Sequence, residues 1–138
     1  MKHSIICNQS EVRGLLDGSK TEFYLPLNPQ PLDVLPMNIP GAWVTLDTRE
    51  PNHGSVITAP YKVGQIIKVR ETWADFEGGV NLPFYPIMYK ADDDTAKFKW
   101  RSAATMPLWA SRLSLLVLDV QVSKFDLWKF VVKVEVMK

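Results

Sequence analysis

Cysteine and histidine are nearly missing from this chain, which has one thiol, Cys7, and two imidazoles, His3 and His53, in 138 residues. A lone thiol cannot close an intramolecular disulfide, and the first residues carry no secretory pattern. The expected setting is therefore a reducing cytoplasm. Cys7 and the two histidines show no metal-ligand spacing, so neither a metal nor a cofactor is expected. A glycine-rich phosphate loop and a nucleophile elbow are also missing, which excludes most common enzyme classes. No apolar run approaches the roughly 20 residues that cross a bilayer, and the longest, Leu113 to Val120, is interrupted by Ser114 and Asp119. A membrane partner is not expected. Charge of one sign is lacking as well: 16 basic residues nearly cancel 15 acidic ones, for a net charge of +1. Any nucleic-acid partner would have to be held by a local patch.

What is present suits one small globular domain spanning residues 1–138, because about two-thirds of the surface of a chain this long can be buried. Ser10 to Asp17 reads as a short helix, with Ser10 as its cap, Glu11 at its positive end and Gly18 at a left-handed stop. Val12, Leu15 and Leu16 share a face at helical spacing and are expected to pack on the core. From Pro26 to Pro60 seven prolines punctuate the chain. The expectation there is a long loop containing one hairpin, with Trp43 to Leu46 as strand and Asn52-His53-Gly54 as turn.

Tyr61 to Gly64 reads as a turn into a strand from Gln65 to Trp73. Its alternation puts Ile67, Val69, Glu71 and Trp73 on one face, so the Glu71 carboxylate sits on an apolar surface and needs a partner or a wet pocket. Gly78-Gly79 and Pro83 mark a loop before a short strand around Ile87 to Ala91, and Asp92-Asp93-Asp94 reads as a solvated turn. Arg112 to Val122 and Val131 to Met137 are β-rich, the latter with Val132, Val134 and Val136 inward. Many short strands, one helix and proline-rich connections predict a mixed β protein with minor α, folded as a small barrel.

Three segments resemble the phage and prophage type of ASCH domain. They are Glu11 to Thr21, with its Gly18-Ser19-Lys20-Thr21 turn; Pro60 to Gln65 running on through Val69-Arg70-Glu71-Thr72-Trp73-Ala74; and Trp100-Arg101-Ser102 followed by Met106 to Arg112. The resemblance implies a PUA-like β-barrel with a cleft beside the helix, associated with RNA or modified-nucleoside recognition and, in a phage protein, with the host cytoplasm. It also implies where catalysis is lost. Family members that deacylate a modified cytidine carry a threonine nucleophile where this chain has Phe23. Their catalytic glutamate lies in a helical segment, for which Ser123 to Lys129 leaves too little room. Tyr24 and Leu25 replace arginines usual in phage relatives.

The residues expected to bind a ligand are Lys20, Thr21, Glu71, Trp73, Trp109, Ser111 and Arg112, and none is assigned a catalytic role. Each has a plainer reading. Lys20 suits the negative end of the helix. Glu71 pairs structurally with Arg70 or Arg112, and a tryptophan commonly fills core. Arg112 with Trp109 has the chemistry to hold an anion and stack a base. Lys97 to Arg101 has the composition of a nucleic-acid strand and equally of an amphipathic strand with a wet face. Three functions follow: a module binding RNA or a nucleoside-like small molecule, an amidohydrolase on acylated nucleosides with a rearranged site, or a protein-interaction module acting on a host protein.

Overall fold

The computed structural model describes residues 2–46, 54–75, 87–92 and 99–137. In chain order its elements are β1 (Ser4–Ile6), α1 (Gln9–Asp17), β2 (Glu22–Pro26), β3 (Asp33–Pro36), β4 (Ala42–Leu46), β5 (Gly54–Thr58), β6 (Ile66–Arg70), β7 (Trp73–Ala74) and β8 (Met88–Tyr89). Two single 3-10 turns follow at Ala103–Thr105 and Leu108–Ala110, then β9 (Ser114–Phe125) and β10 (Leu127–Val136). The described protein is thus mostly β with one α-helix, and no described helix is long and apolar enough to cross a membrane. Asn52, His53, Gly78, Gly79, Pro83, Asp93, Asp94, Lys97 and Phe98, to which the sequence assigned turns, loops and a strand, lie outside the described residues.

The chain forms two compact units. The first comprises Met1–Lys2, Glu22–Gln65 and Leu116–Glu135; the second comprises His3–Thr21, Ile66–Leu115 and Val136–Lys138.

In the first unit β2 runs antiparallel to β10, with Phe23 opposite Val132 and Leu25 opposite Phe130. That register turns Phe23 into the core, where a threonine hydroxyl would lack water. β3, β4 and β5 form an antiparallel meander, pairing Pro36 with Trp43 and Trp43 with Ile57. The proline-rich stretch is therefore not one long loop with a single hairpin. Pro26 and Pro36 end strands, and β3 is an edge strand, where a missing N–H costs no ladder bond. Leu27, Val34 and Phe130 form the unit's buried cluster, with Trp43 tilted against Phe130 at 5.6 Å between ring centres. The last two strands also run further than the sequence suggested. Only Asp126, at φ +65°, separates β9 from β10, and no helix lies between them.

In the second unit β1 lies parallel to β6, with Ile5 beside Val69. The cap of α1 is Asn8, not Ser10: the Asn8 side chain accepts from the Glu11 N–H at 2.8 Å, and Glu11 returns a bond to the Asn8 N–H at 3.1 Å. Val12 and Leu15 are buried as expected, but Leu16 is 49% exposed. The buried face turns toward Gly14 instead, because the chain folds back there: the Lys20 N–H donates to the Gly14 carbonyl, and a Cβ on Gly14 would meet the Lys20 Cβ at 2.9 Å.

The expected strand Gln65–Trp73 is two strands. β6 pairs with β1, whereas Trp73 pairs with Tyr89 on β8 and exchanges backbone bonds with Arg101. Glu71 and Thr72 occupy the joint between the two sheets.

Replacing Asn8 by Ala removes the bond that its side chain accepts from the Glu11 N–H, leaving only the backbone half of the cap, and is expected to cost about 1 kcal/mol in urea unfolding, whereas Ser10→Ala should change stability by a few tenths at most. The reverse order would return the cap to Ser10.

Candidate functional site

The break between β6 and β7 leaves Glu71 as a carboxylate only 2% exposed. Such a group needs charge and hydrogen bonds together, and Arg112, just before β9, supplies both. Arg112 Nε donates to Glu71 Oε2 at 3.1 Å and Nη2 donates to Oε1 at 3.0 Å. Its third nitrogen, Nη1, donates to Asp92 Oδ2 at 2.7 Å. The guanidinium also lies over the Tyr89 ring, 4.2 Å from its centre, and the Tyr89 hydroxyl donates to the Ala110 carbonyl at 2.7 Å. Arg70, the other partner considered for Glu71, donates to the Ala104 carbonyl instead.

Burial drives the Glu71 pKa above the ordinary carboxylate value, and Arg112 opposes that rise without cancelling it. For Arg112 burial acts downward, but its bonds to Glu71 and Asp92 prevail and leave its pKa raised. Burial also raises Tyr89, against the pull of Arg112.

A second group of charges surrounds Cys7, the residue after β1. Its buried thiol is pushed up to about 12, first by burial and then by Glu11; Lys20 acts in the opposite direction, and Glu71 adds to the rise. Lys20 and Glu71 thus bear on one thiol, although the cation nearest the Glu71 carboxylate is Arg112. Lys20 itself makes an ion pair with Glu11 at 3.7 Å.

The remaining expected site residues have separate roles. Thr21 is exposed. Trp73 is a core residue packed with Met106 and Ala110; its indole N–H donates to Thr105 Oγ1 at 3.3 Å and Arg101 lies over its ring. Ser111 Oγ lies 2.7 Å from the Val69 carbonyl and 3.1 Å from that of Leu113, so it ties strands together. Trp109 is not core: it is 60% exposed, on the 3-10 turn whose last carbonyl holds Tyr89. Arg112 is not an open anion holder either, since all three guanidinium nitrogens donate to carboxylates. Lys99 and Arg101 are exposed, and Arg101 pairs with Asp75 at 3.0 Å.

Sequence reasoning missed Tyr89 and Asp92, which sit about twenty residues before Arg112. No local pattern links an aromatic and an acidic turn residue to a distant arginine. With two carboxylates around one guanidinium, the cluster carries an excess negative charge. It can accept hydrogen bonds at Asp92, and Trp109 is exposed on the turn whose Ala110 carbonyl accepts from Tyr89.

Arg112→Met should lose on the order of 3 kcal/mol at neutral pH, because it leaves Glu71 buried and ionised without a partner. Since Glu71 has a raised folded pKa, its contribution is complete below the unfolded carboxylate value and is lost as pH rises through the folded pKa. Without Arg112, which holds that rise back, the Glu71 pKa climbs further, so protonation relieves the variant more than the native protein and its deficit should shrink at pH 5. Urea unfolding at both pH values measures it, and equal deficits would remove Glu71 ionisation as the cause.

The thiol gives an independent check. Native Cys7 should resist iodoacetamide at pH 8 and react readily once the chain is unfolded in urea, because alkylation requires the thiolate. Rapid labelling of the native protein would contradict its burial.

The chain matches no family model, and no curated protein or solved structure matches it significantly.

Proposed function

We propose that this chain is a non-catalytic binding module of the ASCH, PUA-like type, a small β-barrel that takes a nucleoside-like ligand or a base of RNA. Its setting is the cytoplasm, that of a host cell if a phage encodes it. One observation carries the reading: Glu71, Arg112 and Asp92 form a closed charge cluster whose guanidinium is fully engaged and whose outer carboxylate, Asp92, is exposed. An engaged guanidinium is a poor seat for phosphate, whereas a carboxylate accepts from the amino and imino groups of a base. The exposed Trp109 ring offers a face for stacking.

Acyl transfer needs a nucleophile, a base to take its proton and a donor for the developing oxyanion. Phe23 has no hydroxyl and is buried. Thr21 is exposed, and the Lys20 ammonium stands at Glu11. The single-residue connection at Asp126 leaves no segment to supply the glutamate that the resemblance calls for. These features support binding without chemistry.

A nucleoside series read by thermal shift tests the reading, because a ligand selective for the native state must stabilise it. At least one neutral nucleoside should raise the unfolding temperature, and Asp92→Asn or Trp109→Ala should weaken its binding by about tenfold, the effect of losing one good contact. N4-acetylcytidine should release no cytidine at high protein concentration. Turnover abolished by Lys20→Ala or Thr21→Ala would replace this reading with that of a rearranged hydrolase.

A further inference from the structure

The first unit contains a cavity of about 660 Å³, a volume within the range of several hundred Å³ typical of small-ligand sites. Its apolar lining includes Leu27, Ile57 and Phe130, residues of a buried core cluster or packed against it. Thr45, Ser55 and Thr58 add hydroxyls from β4 and β5, and Asn28 adds an amide from the β2–β3 connection. Lys124, exposed near the end of β9, is the one charged side chain among the described lining residues, and no carboxylate is among them.

The wall carrying Asn28 is held in place. Gln30 Nε2 donates to the carbonyls of Leu27 at 2.6 Å and Trp128 at 2.8 Å, while its Oε1 accepts from the Trp128 N–H at 2.7 Å. One side chain thus fastens the connection to β10. The Lys124 ammonium stands 5.9 Å from the centre of the Trp128 ring, and that indole's N–H is buried with no hydrogen-bond partner.

We propose that this cavity binds a small organic anion, a flat ring carrying one phosphate or carboxylate. The ring lies against Phe130, Leu27 and Ile57, where it loses apolar surface to water. The anionic group faces Lys124, unopposed by any described carboxylate in the lining. The hydroxyls of Thr45, Ser55 and Thr58 meet the ligand's polar edge. This site does not rest on the function proposed for the Glu71 cluster: the one charge among its described lining residues has the opposite sign, and every described residue lining it belongs to the first unit.

Calorimetric titration of the full chain with cytidine 5′-monophosphate, cytidine, benzoate and benzamide tests the proposal. At least one anion should bind, about tenfold or more tightly than its neutral counterpart, as expected for one charge-assisted contact. Binding of the monophosphate alone assigns a nucleotide, and binding of benzoate alone assigns a carboxylate; either result supports the site. Lys124→Glu should erase the preference for the anion, and Ser55→Trp, which fills the cavity from an exposed strand position, should abolish binding. Cytidine and its monophosphate are also titrated into Asp92→Asn, which weakens nucleoside binding at the other unit's cluster, and the preference for the anion should remain in that variant. The proposal fails if neither anion binds, if the preference for the anion survives Lys124→Glu undiminished, or if that preference is lost in Asp92→Asn.

Discussion

Burying one carboxylate imposes the arrangement of the second unit. Glu71 reaches the interior because alternation along the preceding strand puts it on the same face as Ile67 and Val69, and there it has no water to solvate it. The bidentate Arg112 bond compensates for that loss, and it works only if the chain before β9 returns to the joint between β6 and β7. Asp92 and the Tyr89 ring then complete the surroundings of the guanidinium, and Ala110 fixes the tyrosine. Removing Arg112 leaves the Glu71 carboxylate buried without its complement. Rigidity of the cluster and its net acceptor character have the same origin.

The first unit is organised on different terms. Its centre is a stack of apolar and aromatic side chains between β10 and the β3–β5 meander, and its polar anchor is neutral. Gln30 replaces a stretch of strand pairing, using both ends of its amide to bind β10. That substitution suits a connection whose prolines cannot donate. It leaves space next to the core that a regular hairpin would have closed, and the cavity occupies that space. One unit therefore spends its polar groups on internal charge balance, while the other leaves hydroxyls and one ammonium facing open volume.

Alternation and turn chemistry were legible wherever they acted locally. The buried set Ile67, Val69, Glu71 and Trp73, the strand at Trp43 to Leu46, the inward Val132 and Val134, and the left-handed stop at Gly18 follow from period-two patterning and from glycine's freedom at positive φ. The helix was legible too, though not its rotation or its cap. Asn8 and Ser10 are both competent caps, and Leu16 and Gly14 flank the same apolar stripe. Which of them is used depends on the returning backbone at Lys20, a contact that helical spacing does not encode. The proline-rich stretch misled for a related reason: proline opposes central strands, but edge strands and strand ends tolerate it.

The candidate site divides along the same line. By itself the sequence determined that Glu71 would lie on an apolar face and need a partner or a wet pocket, that Phe23 offers no nucleophile, and that no common catalytic motif is present, because these depend on residue type and on neighbours one or two positions away. Tertiary structure alone decided that the cation is Arg112 and not Arg70, that Tyr89 and Asp92 complete its surroundings, that Trp109 is exposed while Trp73 is core, and that a cavity opens beside Phe130. Each of those outcomes joins side chains twenty to a hundred residues apart. Such pairings are set by sheet register and chain return, which a linear pattern of polar and apolar residues leaves open.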